Sequence, residues 1–173
     1  MNRLLLLWGL SLAAACGSPG GNSTDAGSDA GAPMPSMLTA SGALMGTISA
    51  PKPTVGYDAT ATEGSFFLRK TTAGLPFKAD INISFGAAPS PATFDSSSPG
   101  FKCDVTVTSG TAAMDTWVAR HNSVAGANRG TCSLTFTSAT MGAGGYDVSG
   151  TLAITADNSG GASTGMVMLS GSF

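Results

Sequence analysis

Phe77-Lys78-Ala79-Asp80-Ile81-Asn82-Ile83-Ser84-Phe85 alternates apolar and polar side chains without a break. Successive residues of a strand point to opposite faces, so Phe77, Ala79, Ile81, Ile83 and Phe85 share one side and Lys78, Asp80, Asn82 and Ser84 the other. A strand that is apolar on one face and wet on the other belongs to an antiparallel sheet, because parallel sheets are covered on both faces. The same two-residue period runs through Phe101, Cys103, Val105 and Val107, through Cys132, Leu134 and Phe136, and through Tyr146, Val148, Leu152 and Ile154. Gly150 interrupts the last of these and predicts a bulge or a close backbone approach. Weaker strands are expected at 42–49, 55–62, 64–71 and 165–173. Eight or nine such segments, parted by Gly, Pro, Asn and Asp, predict an all-β fold: an antiparallel β-sandwich or barrel-like domain over residues 37–173.

Three stretches are less regular. Thr111 to Arg120 suits either a strand or a short helix, and Thr116-Trp117-Val118 favours the strand. Gly86 to Gly100 is long for a loop, with Phe94 as its one large apolar anchor. Asp157-Asn158-Ser159-Gly160-Gly161 has the composition of a hairpin turn.

Ahead of the alternation, residues 1–15 carry Arg3, an apolar run from Leu4 to Leu12, and Ala13-Ala14-Ala15 before Cys16. A basic start, a short apolar core and small residues at the end form a secretory signal peptide. The run is too short for a bilayer span, which takes about 20 apolar residues. Leu12-Ala13-Ala14-Ala15-Cys16 resembles the lipobox of bacterial lipoproteins, with Ala13 standing where that family prefers leucine. The resemblance implies that Cys16 is alkylated with diacylglycerol, becomes the first residue after cleavage, and carries acyl chains such as palmitate. Two or more chains suffice for stable anchoring, at about 0.8 kcal/mol per buried methylene. The family also retains proteins at the inner membrane through an aspartate beside the lipidated cysteine. Gly17-Ser18 stand there in this chain, which implies the outer membrane of a Gram-negative cell envelope.

Residues 16–36 hold almost no large apolar side chain and predict a flexible linker. Its average span is roughly 25 Å, and its limit roughly 70 Å. Asp25 and Asp29 lack the spacing of a calcium loop.

The chain has 173 residues, a net charge of −2 and only 10% charged side chains. No basic surface is available for a phosphate backbone, so no nucleic-acid partner is expected. One histidine and two cysteines beyond Cys16 cannot form a zinc site without carboxylates, and no metal or cofactor is expected. Cys103 and Cys132 lie in phase with the apolar faces of their strands. In an oxidising compartment that phase predicts a buried disulfide, the alternative being two free core thiols.

Catalytic signals are sparse. His121 has only Asp115 and Ser123 as sequence neighbours of the right type, and there is no Gly-x-Ser-x-Gly elbow. Glu63 is the only glutamate. A possible contact patch is Phe66, Phe67, Arg69 and Lys70, where adjacent phenylalanines must face opposite sides of a strand. The expectation is a membrane-anchored, non-catalytic binding or structural module with an envelope protein or glycan as partner. The rival is an envelope hydrolase with a loop-built site.

Overall fold

The computed structural model describes residues 35–110 and 115–173. The expected signal peptide, Cys16 and nearly all of the expected linker lie outside the described residues, as do residues 111–114.

Eleven strands and no helix make up the described chain. They are β1 (Ser36–Gly42), β2 (Gly46–Ala50), β3 (Thr54–Asp58), β4 (Glu63–Lys70), β5 (Phe77–Phe85), β6 (Ala92–Asp95), β7 (Lys102–Ser109), β8 (Thr116–His121), β9 (Thr131–Gly142), β10 (Gly145–Gly160) and β11 (Val167–Ser172). The main path runs β2-β1-β11-β10-β8-β7-β5-β4-β3, and every pairing is antiparallel. β9 pairs with β10 and carries β6 on its far side.

The sheet curls because β10 serves two arms. Its first part, Gly145 to Ala156, pairs with β9 and β11, while Asp157, Asn158 and Gly160 pair with β8. The first arm holds β2, β1, β11, β9 and β6, and the second holds β8, β7, β5, β4 and β3. β2 and β3 end the path on opposite sides, yet only Pro51, Lys52 and Pro53 separate them. That link reaches about 14 Å at full stretch, so the two ends must come round towards each other. An ion pair from Lys52 to Asp147 holds the start of β3 beside β10.

Alternation decides which side each residue takes. In β5 all five apolar residues are buried, while Lys78, Asp80, Asn82 and Ser84 are partly or fully exposed. The interior between the arms is aromatic. Phe136 of β9 meets Phe66 of β4 and Phe85 of β5 at centroid separations of 6.5 and 5.6 Å, with Phe94 and Phe173 closing the group. The Cys103–Cys132 disulfide joins β7 to β9 through the same interior. With the cysteines 29 positions apart in sequence, loop closure predicts a contribution of about 3–4 kcal/mol.

Gly150 is both things expected of it. The β9–β10 register slips between Ser149 and Gly150, and an added Cβ would lie 2.0 Å from the Thr135 carbonyl oxygen. Two local expectations change, and one open choice is settled. The segment taken as an irregular loop contains β6, whose Phe94 packs on Phe85. Residues 116–121 form a strand, the state that Thr116-Trp117-Val118 favours. The Asp157–Gly161 stretch is not a hairpin turn: β10 continues through Gly160, and the turn falls after it. Asp157 accepts from the Gly130 amide and Asn158 donates to the Ser163 carbonyl, bonds that let both residues stay in an extended strand.

Candidate functional site

The outward side chains of the second arm form rows fixed by strand register. One row runs Thr54–Phe67–Asn82–Asp104–Arg120, the next Gly56–Ser65–Ser84–Lys102, and a third Arg69–Asp80–Thr106–Val118–Asp157. Directly opposed residues in an antiparallel pair have Cβ atoms about 4.5–5.5 Å apart, so each row is a line of neighbours.

The patch expected at Phe66, Phe67, Arg69 and Lys70 is divided by the strand that carries it. Phe66 is 1% exposed and belongs to the core, so it is removed from the contact surface. Phe67, one residue on, is 39% exposed. The cause is β4's two-residue period: Phe66 and Leu68 point inward, Phe67 and Arg69 outward. Arg69 pairs with Asp80 at 3.1 Å. Arg69 and Lys70 also line a shallow depression with Ser49 and Pro51 at the end of β2.

A groove of about 400 Å³ opens beside the Phe67 row. Asn82 and Ser84 of β5, Lys102 and Asp104 of β7, Glu63 at the start of β4, and Asn122, Ser123 and Val124 after β8 line it. Its charges are matched. Lys102 lies 3.2 Å from Glu63, and Arg120 lies 3.4 Å from Asp104. Hydrogen bonds from the Ser84 hydroxyl and from Lys102, together with the ammonium charge, hold the Glu63 carboxyl below its ordinary pKa. The Ser123 hydroxyl donates to Asp104 at 3.0 Å. Asn122 takes a left-handed backbone, φ 49°, a conformation asparagine tolerates better than most residues. Its amide N–H donates to Asn128 Oδ1 at 2.8 Å and its side-chain amide to the Phe101 carbonyl, so the loop is fixed in place. Val124 stands fully exposed at the rim.

The residues considered for hydrolysis do not converge. His121 ends β8 with its ring against Phe101. Asp115 precedes the other end of that strand, about 20 Å away by strand rise. There it accepts from the Ser163 hydroxyl and from the amides of Ser163 and Ala162, in that order the causes that lower its pKa. Ser123 is engaged with Asp104 rather than with His121. Among the described residues no three His, Cys, Asp or Glu side chains gather as a metal site. No helix among them is long and apolar enough to cross a membrane.

Asn82, Ser84, Lys102 and Asp104 were visible in the sequence as the polar halves of two alternating strands. Their convergence on one groove depends on β5 pairing with β7, and the contributions of Glu63 and Asn122 depend on how the loops return. Compared with protein-family models, with curated proteins and with solved structures, the chain matches none.

Proposed function

We propose that this protein is a lipid-anchored lipoprotein of the bacterial cell envelope, held at the outer membrane through Cys16, whose β domain is a non-catalytic binding module. The signal peptide and the lipobox-like Leu12–Cys16 support the anchor, and the linker gives the domain room to reorient. The buried disulfide suits a compartment outside the cytoplasm. The observation that carries the binding reading is Phe67, a large aromatic ring left exposed on a polar outer face beside a groove of matched charges. Exposed aromatics among satisfied polar groups are the composition of a contact surface.

One observation favours hydrolysis: Glu63 and Asp104 line the same groove. A glycosidase pair needs one carboxyl with a raised pKa to serve as acid. Glu63 is displaced the opposite way and is occupied by Ser84 and Lys102, so it does not suit the role of that acid.

The anchor is tested by the intact mass of protein extracted from membranes, with and without reductive alkylation. The expected species starts at Cys16, carries acyl chains, and exposes two further thiols only after reduction. The Cys16→Ala chain should leave the membrane fraction. An unprocessed, unlipidated chain would contradict the proposal.

A further inference from the structure

We infer that the groove beside Phe67 binds an uncharged glycan; this rests on the binding-module reading above and names its ligand class. Three features converge on that chemistry. The first is the mixture of hydrogen-bonding groups. Carboxylates only accept, ammonium and guanidinium groups only donate, and amides and hydroxyls do both. Sugar hydroxyls donate and accept at once, so adjacent hydroxyls are best met by such a mixed set, here Asp104, Asn82, Asn122 and Ser84.

The second feature is charge. Glu63 is matched by Lys102 and Asp104 by Arg120, which leaves no net field to draw in a phosphate, a sulfated polymer or a basic peptide. The third is the apolar border. Phe67 stands directly across from Asn82 on the neighbouring strand, and Val124 rises from the far loop. A pyranose ring is polar at its rim and apolar on its C–H faces, and an aromatic ring beside hydrogen-bonding groups serves both. A volume of about 400 Å³ sits near the lower end of the range for small-ligand pockets, on the order of one or two sugar rings. Asn122 is already held by its own hydrogen bonds, so little ordering has to accompany binding.

The test is a calorimetric titration of the purified full chain with cellohexaose, maltohexaose and chitohexaose, and with a heparin hexasaccharide as polyanionic comparator. At least one uncharged oligosaccharide should bind, and heparin should not compete with it. Phe67→Ala and Asp104→Asn should each weaken binding tenfold or more. Ser84→Tyr, which fills the groove from an outward position, should abolish binding while the thermal midpoint is kept. Absence of binding across the uncharged panel, preference for heparin, or binding indifferent to all three substitutions would overturn the assignment. If Phe67→Ala releases an envelope protein while no saccharide binds, the glycan assignment falls and the module reading stands. If an oligosaccharide is bound and its glycosidic bonds are cleaved, the glycan assignment stands and the non-catalytic reading falls.

Discussion

Across the first arm the outward rows read Thr47–Thr39–Ser170–Ala153–Ser133–Asp95 and Ser49–Met37–Ser172–Thr151–Thr135–Thr93. Across the second arm, Phe67–Asn82–Asp104–Arg120 and Arg69–Asp80–Thr106–Val118–Asp157 occupy the equivalent places. Both faces rest on the same antiparallel spacing, and each has a groove of close to 400 Å³. Their chemistry differs. The two first-arm rows are mostly short hydroxyls that in part bond one another, as Thr39 does with Thr47 and Thr93 with Thr135. Ala153 and the exposed Met37 stand among them, and Asp95 at the rim is their one ionisable group. The second-arm rows hold both signs of charge and an exposed aromatic. Strand geometry demands only that outward residues tolerate water, so threonine and serine satisfy the fold at least cost on one arm. The first arm also leaves apolar side chains exposed, at Met37 and Met168. What sets the second arm apart is an aromatic ring among paired charges, and that combination supports a binding role there.

The largest effect separates the two sides of β4. Phe66→Ala should destabilise by about 3–5 kcal/mol, the usual range for a buried phenylalanine. Phe67→Ala should stay within about 0.5 kcal/mol of the parent, as for surface positions. Denaturant unfolding of the two variants makes the comparison, and equal losses would show that Phe67 is structural. Next is the pin between the arms. Cys103→Ala combined with Cys132→Ala should cost about 3–4 kcal/mol, while reductant should lower the melting point of the parent and leave the variant unmoved.

A smaller effect concerns Asp115, which ties the β10–β11 turn to β8. Its folded pKa lies below the ordinary 3.8 because of bonds from Ser163 and Ala162. A depressed carboxyl pKa stabilises the fold above the unfolded value, and that contribution is lost as pH falls through the folded value. Glu63 and Asp95 are displaced in the same direction, so the unfolding midpoint should decline as pH drops below about 4. Asp115→Asn should lower the midpoint at neutral pH and make the acid decline shallower; an unchanged acid profile would contradict this linkage. The smallest effect is on the hydroxyl face. Thr135→Val should change stability by no more than about 0.5 kcal/mol and leave any binding at the second arm untouched.

The antiparallel class was legible because β5, β7 and long stretches of β9 and β10 bury an alternating face. The disulfide was legible because Cys103 and Cys132 keep the phase of their apolar neighbours. What escaped were elements whose stability comes from their partners. β6 is four residues long and exists by pairing with β9 and seating Phe94 on Phe85. Asp157 and Asn158 carry turn-forming side chains, but tertiary bonds to Gly130 and Ser163 occupy them. The groove was half legible: its polar residues were in phase, but no local pattern states which strands will lie side by side.

The most direct test places a photo-crosslinking amino acid at position 67 in one strain and at position 170 in another, and exposes intact cells to light. The account predicts adducts to envelope material from position 67 and none above background from position 170. Equal crosslinking from both faces, or adducts from position 170 alone, would contradict the assignment of binding to the Phe67 face.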